Sequence, residues 1–383
     1  MFAVVKTETT MNAAEGSWRT TMIRGCGGCG RRCKERGGPR EFLVSNLTNV
    51  AYLTGFTGSS GYLLVTPKRA IMISDSRYET QLADECPHLD IEVRDTKTTT
   101  LGWVAKVVGQ LGIRELGIEA SSITLAEYDS LRTELKSAEL APLPPVVELL
   151  RAIKDATEIA KIELSISVNE RAFQVIRAQL HGAQTEREIA HNLEHQMRAF
   201  GASKCAFPPI VGVGPRAALP HGQVTQQRID SSPFVLIDWG AMVDGYCSDL
   251  TRMVVTGKPT GKLQRVYEVV RQAQQAAIAA IRPGARIEEV DRAARQVITD
   301  AGFGKRFGHG LGHGFGLQIH ESPLIAPARE GVLEENMVVT VEPGVYLPGQ
   351  LGVRIEDDVL VTGDGCRKLS TLPTEFEACF VRL

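Results

Sequence analysis

The chain has 383 residues, 43% hydrophobic and 23% charged, with a formal net charge of -2. That length exceeds one ordinary core and predicts two domains, and the composition is that of a soluble globular protein. The near-balanced charge gives no reason to expect a nucleic-acid or membrane partner, and no run approaches the roughly 20 apolar residues of a transmembrane helix.

Residues 1–40 read as a flexible or atypical N-terminal segment. "MFAVVKTETTMNAAEGSWRTT" lacks the basic start and long apolar run of a signal peptide, so a cytoplasmic location is expected. "CGGCGRRC" groups Cys26, Cys29 and Cys33, yet a structural zinc site wants four ligands, and the next candidates are Cys86 and His88. With Gly- and Arg-rich surroundings, the cluster reads as tail. The other cysteines (Cys86, Cys205, Cys247, Cys366, Cys379) are scattered in apolar or mixed contexts and read as reduced, mostly buried thiols.

From residue 41 the pattern changes. "EFLVSN", "GYLLVT" and "AIMISD" are short β-type runs separated by turn residues, including "TGFTGSSG" at 54–61. A helix is expected at 76–85, a strand in "LDIEVRD", and an amphipathic helix where Leu101, Val104, Val107, Val108 and Leu111 recur at helical spacing. "RELGIEA" and "TLAEYDSLRTEL" add a strand and a helix. This alternation predicts a small α/β domain over 41–145, and the proline-rich "APLPPVVELL" at 141–150 reads as a linker. A second domain is expected over 151–383. Long helices start near Asp155 and at Thr185, where Glu188 completes a capping box. Two more are expected at 262–281 and 286–301, divided by "RPGA". Strand-type segments lie between and after the helix pairs, an α+β order.

Four acids stand in these strands among Val, Ile and Leu, where a carboxylate is costly unless paired or bound to a cation. Asp238 ends "FVLID" and Asp249 lies in "YCSDLTRMVV". A hairpin centred between Val243 and Asp244 sets these two directly opposite. A turn at Asp244-Gly245 sets Asp238 opposite Thr251, with Asp249 diagonal; both registers keep the acids on one face. Glu342 and Glu356 each lie seven residues from Gly349, so a hairpin turning there sets them across from each other. Two opposed acid pairs are destabilising by themselves, and a bound cation is their simplest common cause. Beside them, "FGHGLGHGFGLQIHE" (307–321) gathers His309, His313 and His320, in a chain with eight histidines, on a stretch too glycine-rich for a helix.

"IDWG", "CSDLTR", "GHGFGLQIHE", "VEPGVY" and "GVRIEDDVLVT", in this order and spacing, resemble the pita-bread metallopeptidases, in the Xaa-Pro aminopeptidase and Xaa-Pro dipeptidase (prolidase) branch. "FPPIVGVGPRAALPHG" (207–222) matches the family segment carrying an active-site histidine, and "FLVSNLTNVAYLTGFTGSSGYLLVT" with "SDSRY" resembles the creatinase-type N-terminal domain. The likeness spans about residues 41–383 and implies an α+β protein: a C-terminal pita-bread catalytic domain preceded by a smaller α/β creatinase-type domain.

The resemblance implies a dinuclear centre with ligands Asp238, Asp249, His313, Glu342 and Glu356, in which Asp249 and Glu356 bridge. It makes His221 and His320 substrate-facing histidines, Arg354 a substrate-binding arginine, His309 a neighbour of the leaving-proline pocket and Glu342 a proton shuttle as well as a ligand. One imidazole and four carboxylates favour Mn²⁺, with Co²⁺, Fe²⁺ or Zn²⁺ as alternatives. Two such ions roughly 3.5 Å apart lower the pKa of a shared water toward 7, giving a bridging hydroxide as nucleophile. The glycines are expected to let the backbone turn tightly, so that His313 reaches the metals while His320 emerges from the next strand. The expected function is hydrolysis of the Xaa-Pro bond at the N-terminus of peptides, by a homodimer if the branch is followed. The alternatives are an Xaa-Pro dipeptidase and, less favoured because all five ligand positions are filled, a non-catalytic binding protein on the same fold.

Overall fold

In the computed structural model, which describes residues 39–383, the chain divides into two compact units at Arg151/Ala152. Residues 1–38, with the Cys26/Cys29/Cys33 cluster, lie outside the described residues.

The five strands expected in the first unit are β1 (Phe42–Val44), β2 (Tyr62–Val65), β3 (Ala70–Ser74), β4 (Asp90–Val93) and β5 (Glu115–Glu119), and a sixth that was not expected is β6 (Glu139–Leu143). They form one mixed sheet in the order β4-β3-β2-β1-β5-β6. β2 pairs antiparallel with both β1 and β3; the helical crossovers leave β3/β4, β1/β5 and β5/β6 parallel. Its helices are α1 (Leu47–Thr54), α2 (Glu79–Glu85), α3 (Thr100–Gln110) and α4 (Leu125–Glu134). The helical spacing of Leu101, Val104, Val107 and Val108 lays one face of α3 onto Leu43, Leu64 and Ile73 of the sheet.

The stretch expected as a linker is ordered structure instead. Its first residues complete β6, where Pro142 is tolerated because an edge strand leaves one side unpaired. The rest forms a short helix, α5 (Val147–Arg151).

The second unit begins with α6 (Ala156–Gln179), capped by Asp155 and Glu158, and α7 (Glu186–Ala199), whose Thr185–Glu188 capping box is present. Next come β7 (Lys204–Cys205), β8 (Ile210–Val213), β9 (Phe234–Trp239), β10 (Ala241–Val243), β11 (Tyr246–Cys247) and β12 (Leu250–Val255). The second helix pair is α8 (Gly261–Ala280) and α9 (Ile287–Asp300). The chain then forms β13 (Gly312–Gly314), β14 (Glu321–Ile325), β15 (Val338–Val341), β16 (Gly344–Leu347), β17 (Leu351–Arg354), β18 (Asp357–Thr362) and β19 (Gly365–Lys368).

Two of the sheets run β12-β9-β8 and β14-β13-β15-β18-β19, and β16 pairs with β17 alone. The run "FVLID" is apolar throughout because β9 is buried on both faces. Val235 and Ile237 pack with α6 and α7, whereas Phe234 and Leu236 join the cluster of α8 and α9. Alternation therefore assigns Asp238 to the second face, which Met253 and Val255 of β12 also share.

Candidate active site and metal centre

The first hairpin adopts the second of the two registers open to it. Val243 pairs with Tyr246, so Asp244 and Gly245 form the turn, with φ of 49° and 83°. Positive φ at both central residues is what a type I′ two-residue hairpin loop requires, and Asp-Gly supplies it at low cost. Asp238 consequently faces Thr251, and Asp249 is its diagonal neighbour.

In the second hairpin Leu347 pairs with Leu351 and Gly344 with Arg354; farther along the same register Val341 pairs with Asp357. Glu342 and Glu356 sit between those paired stretches, at matching places on the two arms about Gly349, and their backbone N–H groups turn outward, Glu342 N to the Leu311 carbonyl and Glu356 N to that of Thr251. The hairpins meet where Thr251 and Glu356 form an antiparallel bridge. Thr251 Oγ1 donates to Glu356 Oε2 at 2.7 Å. Carboxylate oxygens of Asp238, Asp249 and Glu356, all buried, thus lie within 4.8 Å of one another.

The glycines around His313 have a different role from the expected one. None of Gly308, Gly310, Gly312, Gly314 or Gly316 has a left-handed φ. A Cβ on Gly312 would lie 2.1 Å from the Thr340 carbonyl oxygen, and one on Gly314 2.2 Å from that of Ser322. They permit close strand approach rather than tight turning. His313 Nδ1 lies 3.1 Å from the Gly314 carbonyl, which leaves Nε2 facing Glu342 Oε1 at 3.4 Å and Asp249 Oδ2 at 3.7 Å. His320 precedes β14 instead of lying on it, and its ring stands 4.4 Å from that of His313.

His309 has both ring nitrogens engaged, Nδ1 with the Gly310 carbonyl at 2.7 Å and Nε2 with the Tyr346 hydroxyl at 3.0 Å. Arg354 is buried. Its Nε donates to Thr251 Oγ1, Nη1 to Tyr346, and Nη2 to both Asp238 and the Pro220 carbonyl. Thr251, Tyr346 and Thr340, which holds His313 N and reaches Glu342, were not singled out in the sequence. Thr251 alone had a signal, as the partner of Asp238 in the register that formed.

Burial and mutual repulsion dominate the electrostatics. Burial, then Glu356 and Asp238, hold the Asp249 carboxyl well above its usual range. Burial raises Glu356 likewise, with Glu342 and Asp238 adding to it, and pushes Glu342 up to about 7. Asp238 is raised by burial against the opposing pull of Arg354. Burial lowers His313 and His309 to about 4, so both are neutral imidazoles at pH 7. Asp238 Oδ1 is buried without a hydrogen-bond partner among the described residues. Crowded carboxylates, an orphaned oxygen and a neutral imidazole Nε2 make a donor set that fits hard divalent cations. Asp238, Asp249, His313, Glu342, Glu356, His221, His309, His320 and Arg354 all line one cavity of about 690 Å³.

Comparison with known proteins gives the family. Residues 160–363 match the model of metallopeptidase family M24, and residues 34–153 that of the creatinase/prolidase N-terminal domain. The chain belongs to metallopeptidase family M24. As an M24 member it is a peptidase with the pita-bread fold, in a family whose chemistry uses divalent metal ions. An uncharacterized peptidase of Bacillus subtilis is 39% identical over 87% of this chain and 94% of its own. The structure of an Xaa-Pro dipeptidase from Bacillus anthracis superposes with a TM-score of 0.89 at 36% identity, covering 94% of this chain and 100% of that one. An X-Pro aminopeptidase from Thermotoga maritima gives 0.81 at 34% identity, covering 90% and 97%.

Proposed function

We propose that this M24 peptidase is an Xaa-Pro aminopeptidase, cleaving the bond before proline at the N-terminus of peptides. Asp238, Asp249, His313, Glu342 and Glu356 would hold two divalent cations. The oxygen-rich donor set favours Mn²⁺. The observation that carries the choice of aminopeptidase is the engagement of Arg354. A dipeptidase must neutralise a proline carboxylate close to the scissile bond, yet four of the five N–H donors of this arginine are turned to Thr251, Tyr346, Asp238 and Pro220. A longer peptide has no charge at that point and needs no such partner.

A second reading, Xaa-Pro dipeptidase, is favoured by Arg187. It is exposed, lines the same cavity and could receive a carboxylate. Relatives bearing either name match the chain.

When bound, the cations supply Lewis acidity and lower the pKa of water toward 7. Glu342 takes the proton of the attacking water and passes it to the leaving proline nitrogen. His221 and His320 donate to the substrate carbonyl as negative charge develops on it; a comparable donor elsewhere is worth about 2.7–4 kcal/mol. Phe207, Pro208, Ile319 and Leu324 give the cavity apolar walls. Such walls suit a pyrrolidine ring whose amide has no N–H to offer.

The test is cleavage of Ala-Pro and Ala-Pro-Ala side by side, after metal stripping and addition of Mn²⁺. Cleavage of the tripeptide is expected, with a loss of about 10²–10⁴-fold in Glu342→Ala. Cleavage of the dipeptide alone establishes the second reading. Cleavage of neither, with metal bound, removes the substrate assignment.

A further inference from the structure

Glu186 is the first residue of α7, and its side chain has no solvent exposure. A buried carboxylate is costly unless its oxygens are satisfied. Here every identified partner lies on the segment 213–225. Val213 N donates to Oε1 at 2.9 Å and Arg216 Nε to the same oxygen at 2.8 Å. Thr225 donates to Oε2 through both its N (2.8 Å) and its Oγ1 (2.6 Å). One carboxylate therefore ties together the two ends of this segment.

Between those ends the chain is clamped further. Arg216, oriented by Glu186, donates through Nη2 to the Gln223 carbonyl, and the Pro220 carbonyl accepts from Arg354. The turn at Gly214–Ala218 is pressed onto its supports. A Cβ on Gly352 would lie 1.9 Å from the Ala217 carbonyl oxygen, and one on Gly212 2.9 Å from Ala217 Cα. Gly214 supplies the φ of 59° at which the chain leaves β8. What this frame carries into the cavity is Pro220, His221, Gly222, Gln223 and Val224. Outside the frame, Leu219 is half exposed.

We propose that Glu186 is a positioning residue for the peptidase reaction: by closing the 213–225 segment it fixes the place of His221 in the active-site cavity. The inference rests on the reading of His221 as a group that acts on substrate. Its physical content is pre-organisation, since a misplacement of about 1 Å at a reacting group can cost on the order of a hundredfold in rate. In Glu186→Gln the amide oxygen can still serve Val213 and Arg216, but the amide NH₂ opposes the Thr225 N–H, leaving only the rotatable Thr225 hydroxyl to accept from it, which opens one end of the frame.

The experiment measures kcat and KM on the cleaved Xaa-Pro peptide for E186Q, H221A and the double variant. Thermal unfolding and amide hydrogen exchange over 213–225 are followed in each. We expect E186Q to lose about ten- to a hundredfold in kcat with a smaller change in KM. The double variant should be no slower than H221A, because a positioning residue has nothing left to position. Exchange should rise within 213–225 while the body of α7 stays protected. Multiplying losses in the double variant, or full kcat in E186Q with only a lowered Tm, overturn the proposal. If H221A keeps full activity, the reading of His221 is what has failed. Exchange then decides for Glu186 alone, and unchanged protection of 213–225 removes it.

Discussion

Glu119 in the first unit and Asp249 in the second are both buried acids, and their surroundings differ in kind. Glu119 is ringed by donors: Ser45 N and Oγ and Asn46 N to Oε2, and Asn49 Nδ2 to Oε1. Asp249 is ringed by acids, with Glu356, Asp238, Glu342 and Asp358 all raising its pKa beyond what burial does. The first carboxylate satisfies the unpaired backbone at the start of α1 and completes a fold. The second lies where a protein without a cation gains nothing from a negative charge. Burial alone does not mark a functional acid; the sign of its neighbours does. Glu186 belongs with Glu119 by its donors, although the segment that supplies them also lines the candidate-site cavity.

The contrast can be broken most sharply at Asp249. Asp249→Asn should lower peptidase activity by on the order of a thousandfold or more, the scale for removing one member of a cooperating catalytic set. It should also raise the Tm of the metal-stripped protein, because one repelled charge has gone. Chelation should lower the Tm of wild type but leave that of the variant nearly unchanged. Differential scanning fluorimetry with and without EDTA checks both signs.

Glu119→Ala should do the reverse, leaving metal content intact while costing about 2–4 kcal/mol of stability, because buried donors are stranded. Denaturant unfolding of the full chain, read with a probe in the first unit, measures it; a change under 0.5 kcal/mol would erase the distinction drawn here.

Glu158 sharpens the comparison at its smallest scale. It accepts from Asp155 N and from the Tyr246 hydroxyl, yet burial pushes its pKa up to about 7 from the ordinary 4.5. Between those values the folded protein holds a proton that the unfolded chain has lost. Its stabilising contribution is therefore complete below about 4.5 and disappears as pH rises through about 7. The difference in stability between wild type and Glu158→Gln should fall along that same window, and a flat difference from pH 4 to pH 8 would refute it.

Much of the catalytic unit was legible in local pattern. Strand alternation is a period of two, so it places Asp238 and Asp249 on one face in either register. A hairpin has a centre, so Gly349 sets Glu342 and Glu356 at matching positions on its two arms. Capping boxes are four-residue signals, and Thr185–Glu188 marks the start of α7 without reference to anything distant. The reading of 141–150 as a linker failed for a matching reason: prolines report what a segment cannot do inside a sheet, and β6 is at the edge.

By itself, then, the sequence determined which residues could share a strand face, where the helices begin, and which acids stand among apolar strand neighbours. Tertiary structure alone decided the rest. It selected the Asp244-Gly245 turn, which faces Asp238 with Thr251 instead of Asp249. It joined the two hairpins through Thr251 and Glu356, residues more than a hundred positions apart, and it spent the donors of Arg354 on that junction. It turned the glycines beside His313 into points of strand approach and placed the carboxylate of α7 under the segment bearing His221. The physical reason is common to all of these. Local periodicity and turn chemistry are fixed by neighbours along the chain, whereas a hydrogen-bond partner or a close backbone contact depends on which surfaces pack together. That is a property of the assembled unit, and no short stretch of residues contains it.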